Sequence, residues 1–211
     1  MREPPGLLAA GGDLRPSRLL AAYERGVFPW YSAQQPILWW APDPRMVLFP
    51  DEFNASRSLK KTLRNGPYET RLDHAFGDII RACAAPRRSG PDTWLNADMI
   101  GAYEELFELG FGHSVETYCA AELVGGLYGV QLGQVFFGES MFSLRRDASK
   151  VALARLVQEC HARDIRLIDC QVASSHLESL GARELPRSDF VALLRRYARR
   201  TPCGGWGQPT A

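Results

Sequence analysis

No apolar run in this chain approaches the roughly 18 residues that a membrane-crossing helix needs, and Met1-Arg2-Glu3-Pro4-Pro5 lacks the basic-then-apolar plan of a signal peptide. A cytoplasmic protein with no membrane partner is therefore expected. Cysteine is sparse: Cys83, Cys119, Cys160, Cys170 and Cys203 are odd in number, scattered, and never form a CxxC pair. That excludes a signalled disulfide framework or zinc site, and reduced thiols are expected. His74, His113, His161 and His176 have no metal spacing and no companion nucleophile, so no role falls to them. An excess of either charge is missing too. With 25 basic and 24 acidic residues the net charge is +1, so any nucleic-acid contact must come from a local basic patch. No internal repeat or low-complexity tract is present.

What the chain does have is enough apolar material for a core: 211 residues, 45% hydrophobic, sufficient for one or two domains. The first 50 or so residues are rich in Gly, Pro and Trp, with one amphipathic stretch from Ser17 to Glu24. A basic helix is expected at about Ser56 to Leu63, where Arg57, Lys60, Lys61 and Arg64 surround Leu59 and Leu63. That face either meets RNA phosphates or is simply solvated. A further helix, Phe76 to Ala84, leads into the basic, turn-prone Pro86-Arg87-Arg88-Ser89-Gly90-Pro91, which places a domain boundary nearby.

Beyond it strands and helices alternate, as in an α/β or α+β domain built on one sheet. Asn96 can cap a helix carrying Ile100, Tyr103 and Phe107, with Gly110 at its end. Ser114–Cys119, Leu123–Gln131 and Gln134–Met141 read as an antiparallel meander, and Gly125, Gly126 and Gly129 mark a bulge or a close approach in its middle strand. Apolar spacing predicts a helix over Ala148–Ala162, capped by Asp147 or Ser149. A strand over Ile165–Val172 follows, placing Asp169 and Gln171 on one face. The tail from Thr201 to Ala211 reads as loose.

Asp169 interrupts a hydrophobic strand, so it is either functional or bonded to a neighbouring backbone amide. Glu139 lies at a strand end among Phe136, Phe137, Met141 and Phe142, surroundings that suit a pocket or an ordinary core edge. Two acids beside one apolar cavity could divide the work, one recognising a cationic amine and the other handling a proton. Trp39, Trp40, Trp94 and Tyr103 could stack on bases, line a pocket or form a domain interface.

Seven segments in order resemble the leucyl/phenylalanyl-tRNA-protein transferase family. They are Gly6-Leu7-Leu8-Ala9-Ala10-Gly11-Gly12-Asp13-Leu14, Gly26-Val27-Phe28-Pro29-Trp30-Tyr31, Ile37-Leu38-Trp39-Trp40-Ala41-Pro42-Asp43-Pro44-Arg45, Trp94-Leu95, Leu123-Val124-Gly125-Gly126-Leu127-Tyr128-Gly129, Phe136-Phe137-Gly138-Glu139-Ser140-Met141-Phe142-Ser143 and Leu167-Ile168-Asp169-Cys170-Gln171. The chain begins close to the Gly-Gly-Asp-Leu segment, short of the stretch that precedes it in the family, and its Cys119-Ala120-Ala121-Glu122 turn lacks Gly or Asp.

The resemblance implies an α+β protein: a small loop-rich amino-terminal domain (1–88), a catalytic domain of the GNAT acetyltransferase type with a mixed, mainly antiparallel sheet (89–200), and a flexible tail (201–211). It implies a monomer that takes Leu, Phe and less readily Met from aminoacyl-tRNA, uses no cofactor, and adds the amino acid to proteins beginning with Arg or Lys, marking them for degradation. On the same basis Asp169 prepares the attacking amine with Gln171 as its hydrogen-bonding partner, and Glu139 holds the acceptor. Trp39, Trp40, Trp94 and Tyr103 lie near the aminoacyl-adenosine end, Leu127, Phe136 and Met141 wall the side-chain pocket, and Arg57, Lys60, Lys61, Arg64, Arg87 and Arg88 contact tRNA phosphates. A CoA-dependent acetyltransferase, the rival of the same fold, needs a glycine-rich turn before its helix, and Ser143–Lys150 contains no glycine. A non-catalytic RNA-binding module would leave Asp169, Glu139 and Gln171 without a purpose.

Overall fold

The computed structural model describes residues 6–85, 95–202 and 204–207. The chain opens with a three-stranded sheet of β1 (Leu7–Ala10), β2 (Phe28–Pro29) and a central β3 (Leu38–Trp40), with helix α1 (Pro16–Tyr23) between β1 and β2. There follow β4 (Arg45–Leu48), a 3-10 turn at Pro50–Glu52, α2 (Arg57–Asn65), β5 (Tyr68–Leu72), α3 (Phe76–Ala84) and α4 (Ala97–Glu108). The remainder is β6 (Gly112–Cys119), β7 (Glu122–Leu132), β8 (Val135–Ser143), α5 (Ala148–Ala162), β9 (Leu167–Gln171), α6 (Ser175–Glu178), β10 (Arg183–Leu185) and α7 (Arg187–Tyr197).

Seven strands form the main sheet in the order β10-β4-β9-β8-β7-β6-β5. Every neighbouring pair is antiparallel except β8 and β9, which run parallel because α5 carries the chain back between them. One face packs against α1, α3, α4 and α7 through Leu19, Ile79, Tyr103 and Phe190. The other packs against α2 and α5 through Leu59, Leu153 and Leu156.

Several helix ends follow from their caps. Ser56 Oγ accepts from the Leu59 amide at 3.2 Å, Asn96 Oδ1 from the Met99 amide at 3.0 Å, and Gly110 leaves α4 at a φ of +76°. Helix α5 departs from expectation: neither Asp147 nor Ser149 caps it by side chain. Asp147 has a left-handed backbone that turns its carboxylate toward Lys150 and Arg146, and Ser143 Oγ accepts from the Ser149 amide instead.

The main sheet is not confined to one side of residue 88: β4 and β5, which precede that point, flank β6 to β9, which follow it, and β10 lies outside β4. Nor is the tail loose throughout. Trp206 is buried: its ring stacks on His113 at 4.5 Å, its amide donates to Asp73 Oδ2 at 2.6 Å, and its Nε1 donates to Gln131 Oε1 at 2.9 Å.

The β6–β7 hairpin closes through Ala120 and Ala121, with Cys119 opposite Glu122 and φ values of +50° and +66°. Left-handed alanine costs roughly 1–2 kcal/mol per residue, and Asn-Gly is the pair this two-residue turn favours. Ala120→Asn with Ala121→Gly is therefore expected to raise the unfolding free energy by about 1–2 kcal/mol, read as a shifted urea midpoint at unchanged slope.

Candidate active site

Parallel pairing of β8 and β9 ends at Phe137 opposite Asp169. Past that point β8 stays with β7 and β9 with β4, so the two strands part. A cavity of about 280 Å³ opens between them, bounded by Gly138, Glu139, Ser140 and Met141 on one side and by Ile168, Cys170, Gln171 and Val172 on the other. Leu127, Phe136, Leu153, Leu156 and Leu177 make its depths apolar. A second cavity of about 130 Å³ is lined by Phe28, Pro29, Trp30, Glu139, Gln171 and Val172. Glu139, Gln171 and Val172 border both. Such crevices at the carboxyl ends of parallel strands are where α/β sheets bind ligands.

Glu139 reaches this junction through a bulge. Tyr128 faces Ser140 and Gly129 faces Gly138, leaving Glu139 as the unpaired residue of β8. Bulges of this kind re-aim a side chain. Gly129 permits it, since a Cβ there would lie 2.1 Å from the Phe137 carbonyl oxygen. Gln171 sits beside a second irregularity, where Met46 faces Gln171 but Val47 faces Asp169.

Four oxygens from three side chains meet under the junction. Tyr23 Oη lies 2.7 Å from Glu139 Oε1, Tyr103 Oη lies 2.8 Å from Oε2, and the two hydroxyls are 2.6 Å apart. Burial, reinforced by the Asp169 charge, pushes the Glu139 carboxyl up to about 7, although both hydroxyls can donate to the carboxylate. Counting protons supports the same direction. If both tyrosines donate to an ionised Glu139, nothing bridges the tyrosine oxygens, whereas a protonated Glu139 closes a ring in which each group donates once. The tyrosines themselves stay protonated, burial having pushed both well above their ordinary value.

A carboxyl whose folded value is raised from 4.5 to about 7 lends stability that is complete below 4.5 and lost as pH rises through 7. Glutamine can complete the same ring at any pH. Glu139→Gln is accordingly expected to match the wild type in thermal stability near pH 4 and exceed it at pH 8, with the gap opening between those values. A gap that is flat with pH would contradict the raised carboxyl.

Asp169 is held differently. It is fully buried and meets Arg45, itself 1% exposed, in a two-pronged pair: Nε to Oδ1 at 2.7 Å and Nη2 to Oδ2 at 2.6 Å. The guanidinium lies between the Phe28 and Phe190 rings, 4.8 and 4.7 Å from their centroids, and donates to the Gly26 carbonyl at 2.9 Å. Asp169 lines neither cavity. Its link to Gln171 is through the backbone: the Gln171 amide donates to Asp169 Oδ1 at 3.0 Å. That bond fixes Gln171 with a left-handed φ of +59°, on the wall of both cavities, where its Nε2 is buried without a partner among the described residues.

Leu127, Phe136 and Met141 all line the larger cavity, and Tyr103 supports Glu139 from beneath. Trp39 is buried in the small sheet with Nε1 donating to the Gly11 carbonyl, and Trp40 Nε1 donates to the Trp30 carbonyl. Neither borders the two cavities that meet at Glu139; Trp30, tilted against Trp40 at 6.0 Å, borders the smaller one. Trp94, Arg87 and Arg88 lie outside the described residues. Arg57, Lys60, Lys61 and Arg64 are exposed on α2, which packs on the cavity-lining α5 through Leu59. Residue-by-residue reading missed Tyr23, Phe28, Trp30 and Arg45, although all but Tyr23 fall within quoted segments; an arginine directly after Pro-Asp-Pro at a strand start was the available signal.

A wider, shallow cleft of about 890 Å³ between the small sheet and α4 borders on neither Glu139 nor Gln171. Among the described residues no three His, Cys, Asp or Glu side chains are grouped to hold a metal, and no helix is long and apolar enough to cross a membrane.

The model of the family described as leucyl/phenylalanyl-tRNA protein transferase matches residues 47–195, and that of its amino-terminal domain matches residues 12–43. Proteins named leucyl/phenylalanyl-tRNA–protein transferase are close relatives. That of Nitrosospira multiformis is 58% identical over 92% of this chain and 83% of its own length. That of Stutzerimonas stutzeri is 53% identical over 98% and 91% respectively. Among solved structures, a GCN5-related N-acetyltransferase from Kribbella flavida superposes with a TM-score of 0.43 at 12% identity over 82% of this chain and 61% of that one, too loosely for its chemistry to be transferred.

Proposed function

We infer the reaction from one premise: this chain belongs to the leucyl/phenylalanyl-tRNA protein transferase family, and is an aminoacyltransferase. Leu or Phe, and less readily Met, moves from the ester at the tRNA's terminal ribose to the α-amine of a protein beginning with Arg or Lys, which marks that protein for degradation. The observation that carries this reading is the junction at Glu139 and Gln171, where an apolar cavity and a cavity bearing Trp30 meet at one acid and one unpaired amide.

The larger cavity takes the amino-acid side chain. At about 280 Å³ it is near the lower bound of roughly 300–1,000 Å³ for small-molecule sites, a size for one residue and not for a nucleotide. The smaller cavity, at about 130 Å³, is no nucleotide pocket either; the adenosine end lies outside it against the exposed Trp30 at its rim, where the ring can stack on the base. The exposed cations of α2 hold tRNA phosphates without reading sequence.

The attacking nitrogen forms a bond to the ester carbon, the carbonyl π pair moves onto oxygen, and collapse breaks the ester C–O bond and expels the ribose oxygen, which takes up the proton that the amine gives to Glu139. Glu139 takes the proton from the attacking amine, because a carboxyl that titrates near 7 is matched to a base working at neutral pH. Gln171 Nε2 donates to the oxygen on which charge develops. Asp169, with both oxygens held by Arg45, positions Gln171 through its backbone amide and does not itself handle the proton.

The test is transfer of radiolabelled leucine from charged tRNA to a peptide beginning with Arg, beside an N-acetylated copy. Label on the free peptide alone is expected. Label on neither, with charged tRNA still bound, would leave an RNA-binding protein in place of the enzyme.

A further inference from the structure

We infer that the carboxy-terminal tail forms the back wall of the amino-acid pocket, and that Trp206 is a positioning residue for the choice between Leu and Phe. The inference rests on reading the larger cavity as that pocket. Phe136 lines the cavity, and its ring is held from two sides. Beneath it is bare backbone: a Cβ on Gly129 would come within 2.6 Å of Phe136 Cζ. Behind it stands Trp206, 5.5 Å between ring centroids.

Trp206 is itself fixed by more contacts than filling a gap requires. Its amide donates to Asp73, its indole N–H to Gln131, and its carbonyl accepts from Arg163 Nη2 at 3.0 Å. Its ring is stacked on His113, with the Arg163 guanidinium 5.5 Å from its centroid. The indole therefore cannot retreat, and Phe136 cannot swing away from the cavity. Close packing transmits this: a wall whose backing is removed relaxes into the space. The pocket deepens, and the larger amino acid gains at the expense of the smaller.

The experiment mixes Leu-tRNA and Phe-tRNA in one reaction with one acceptor peptide and reads the ratio of the two products, so that any unfolded enzyme cancels. Trp206→Leu is expected to raise the Phe-to-Leu ratio about tenfold, the scale on which pockets discriminate a methylene or two. Trp206→Phe keeps an aromatic ring behind Phe136 and should restore most of the wild-type ratio, which a loss of general stability would not do. Met141→Ala, altering the wall directly, is the companion arm. A shifted ratio for Met141→Ala with unchanged ratios for both Trp206 variants would overturn the tail's role and leave the pocket standing. Unchanged ratios for all three would overturn both. Should Trp206→Leu fail to accumulate, Trp206→Val and Asp73→Asn, which releases the tail's amide, decide the matter by the same ratio: shifted upward in support, unchanged against.

Discussion

Asp169→Asn is expected to destabilise the folded chain by about 3–5 kcal/mol, the usual consequence of removing one partner from a buried ion pair. The loss arises at Arg45. Its guanidinium is 1% exposed and would keep the asparagine amide oxygen, the Gly26 carbonyl and two aromatic faces, but no counter-charge, around a full positive charge. Replacing both partners by apolar residues of similar size, Arg45→Met with Asp169→Leu, should recover most of that stability. Urea unfolding of the two single variants and the double gives the coupling directly. Transfer should fail even in the stable double variant, because the Gln171 amide loses its acceptor and the side chain loses its aim. An Asp169→Asn protein as stable as the wild type but inactive would instead give Asp169 a direct chemical role.

Glu139→Gln should lower the single-turnover transfer rate by about 10²- to 10⁴-fold while leaving tRNA affinity unchanged, the span that a positioned base contributes. Glutamine preserves the volume and the ring with Tyr23 and Tyr103, so the deficit isolates the proton acceptor. It is also the variant expected to be more stable at pH 8. Activity and stability would move in opposite directions at one residue, as they do where a site holds a group in surroundings that oppose its charge.

Much of the framework could be read from local pattern. Asn96 and Gly110 bracket α4 as expected, and the meander of β6, β7 and β8 follows from three short runs with close turns. Long-range pairing is where local pattern stops. The strand β4 is four residues long and carries Arg45, whose partner lies 124 residues away, so the ion pair that fixes Asp169 has no signature in either segment. Alternation along β9 suggested that Asp169 and Gln171 act side by side. The left-handed φ at Gln171 ends the alternation and links the two through backbone. The glycine at 129 was legible as a bulge or a close approach, and is both; that it turns Glu139 into the cavity needs the register of the partner strand. Trp206 escaped notice because Gly204 and Gly205 beside it look like loose chain, while the groups that dock it, Asp73, His113 and Gln131, are distant in sequence.

The central claim is that Glu139 is the proton acceptor at neutral pH, and the pH dependence of the single-turnover rate at saturating acceptor peptide tests it most directly. The wild type should rise through a limb near pH 7, the value to which burial pushes Glu139. In Glu139→Gln that limb should be gone, the small residual rate following only the acceptor's own amine near 7.7–8.0. A limb near 7 that persists in the variant, at a rate within a few-fold of wild type, would contradict the account and return the proton to another group.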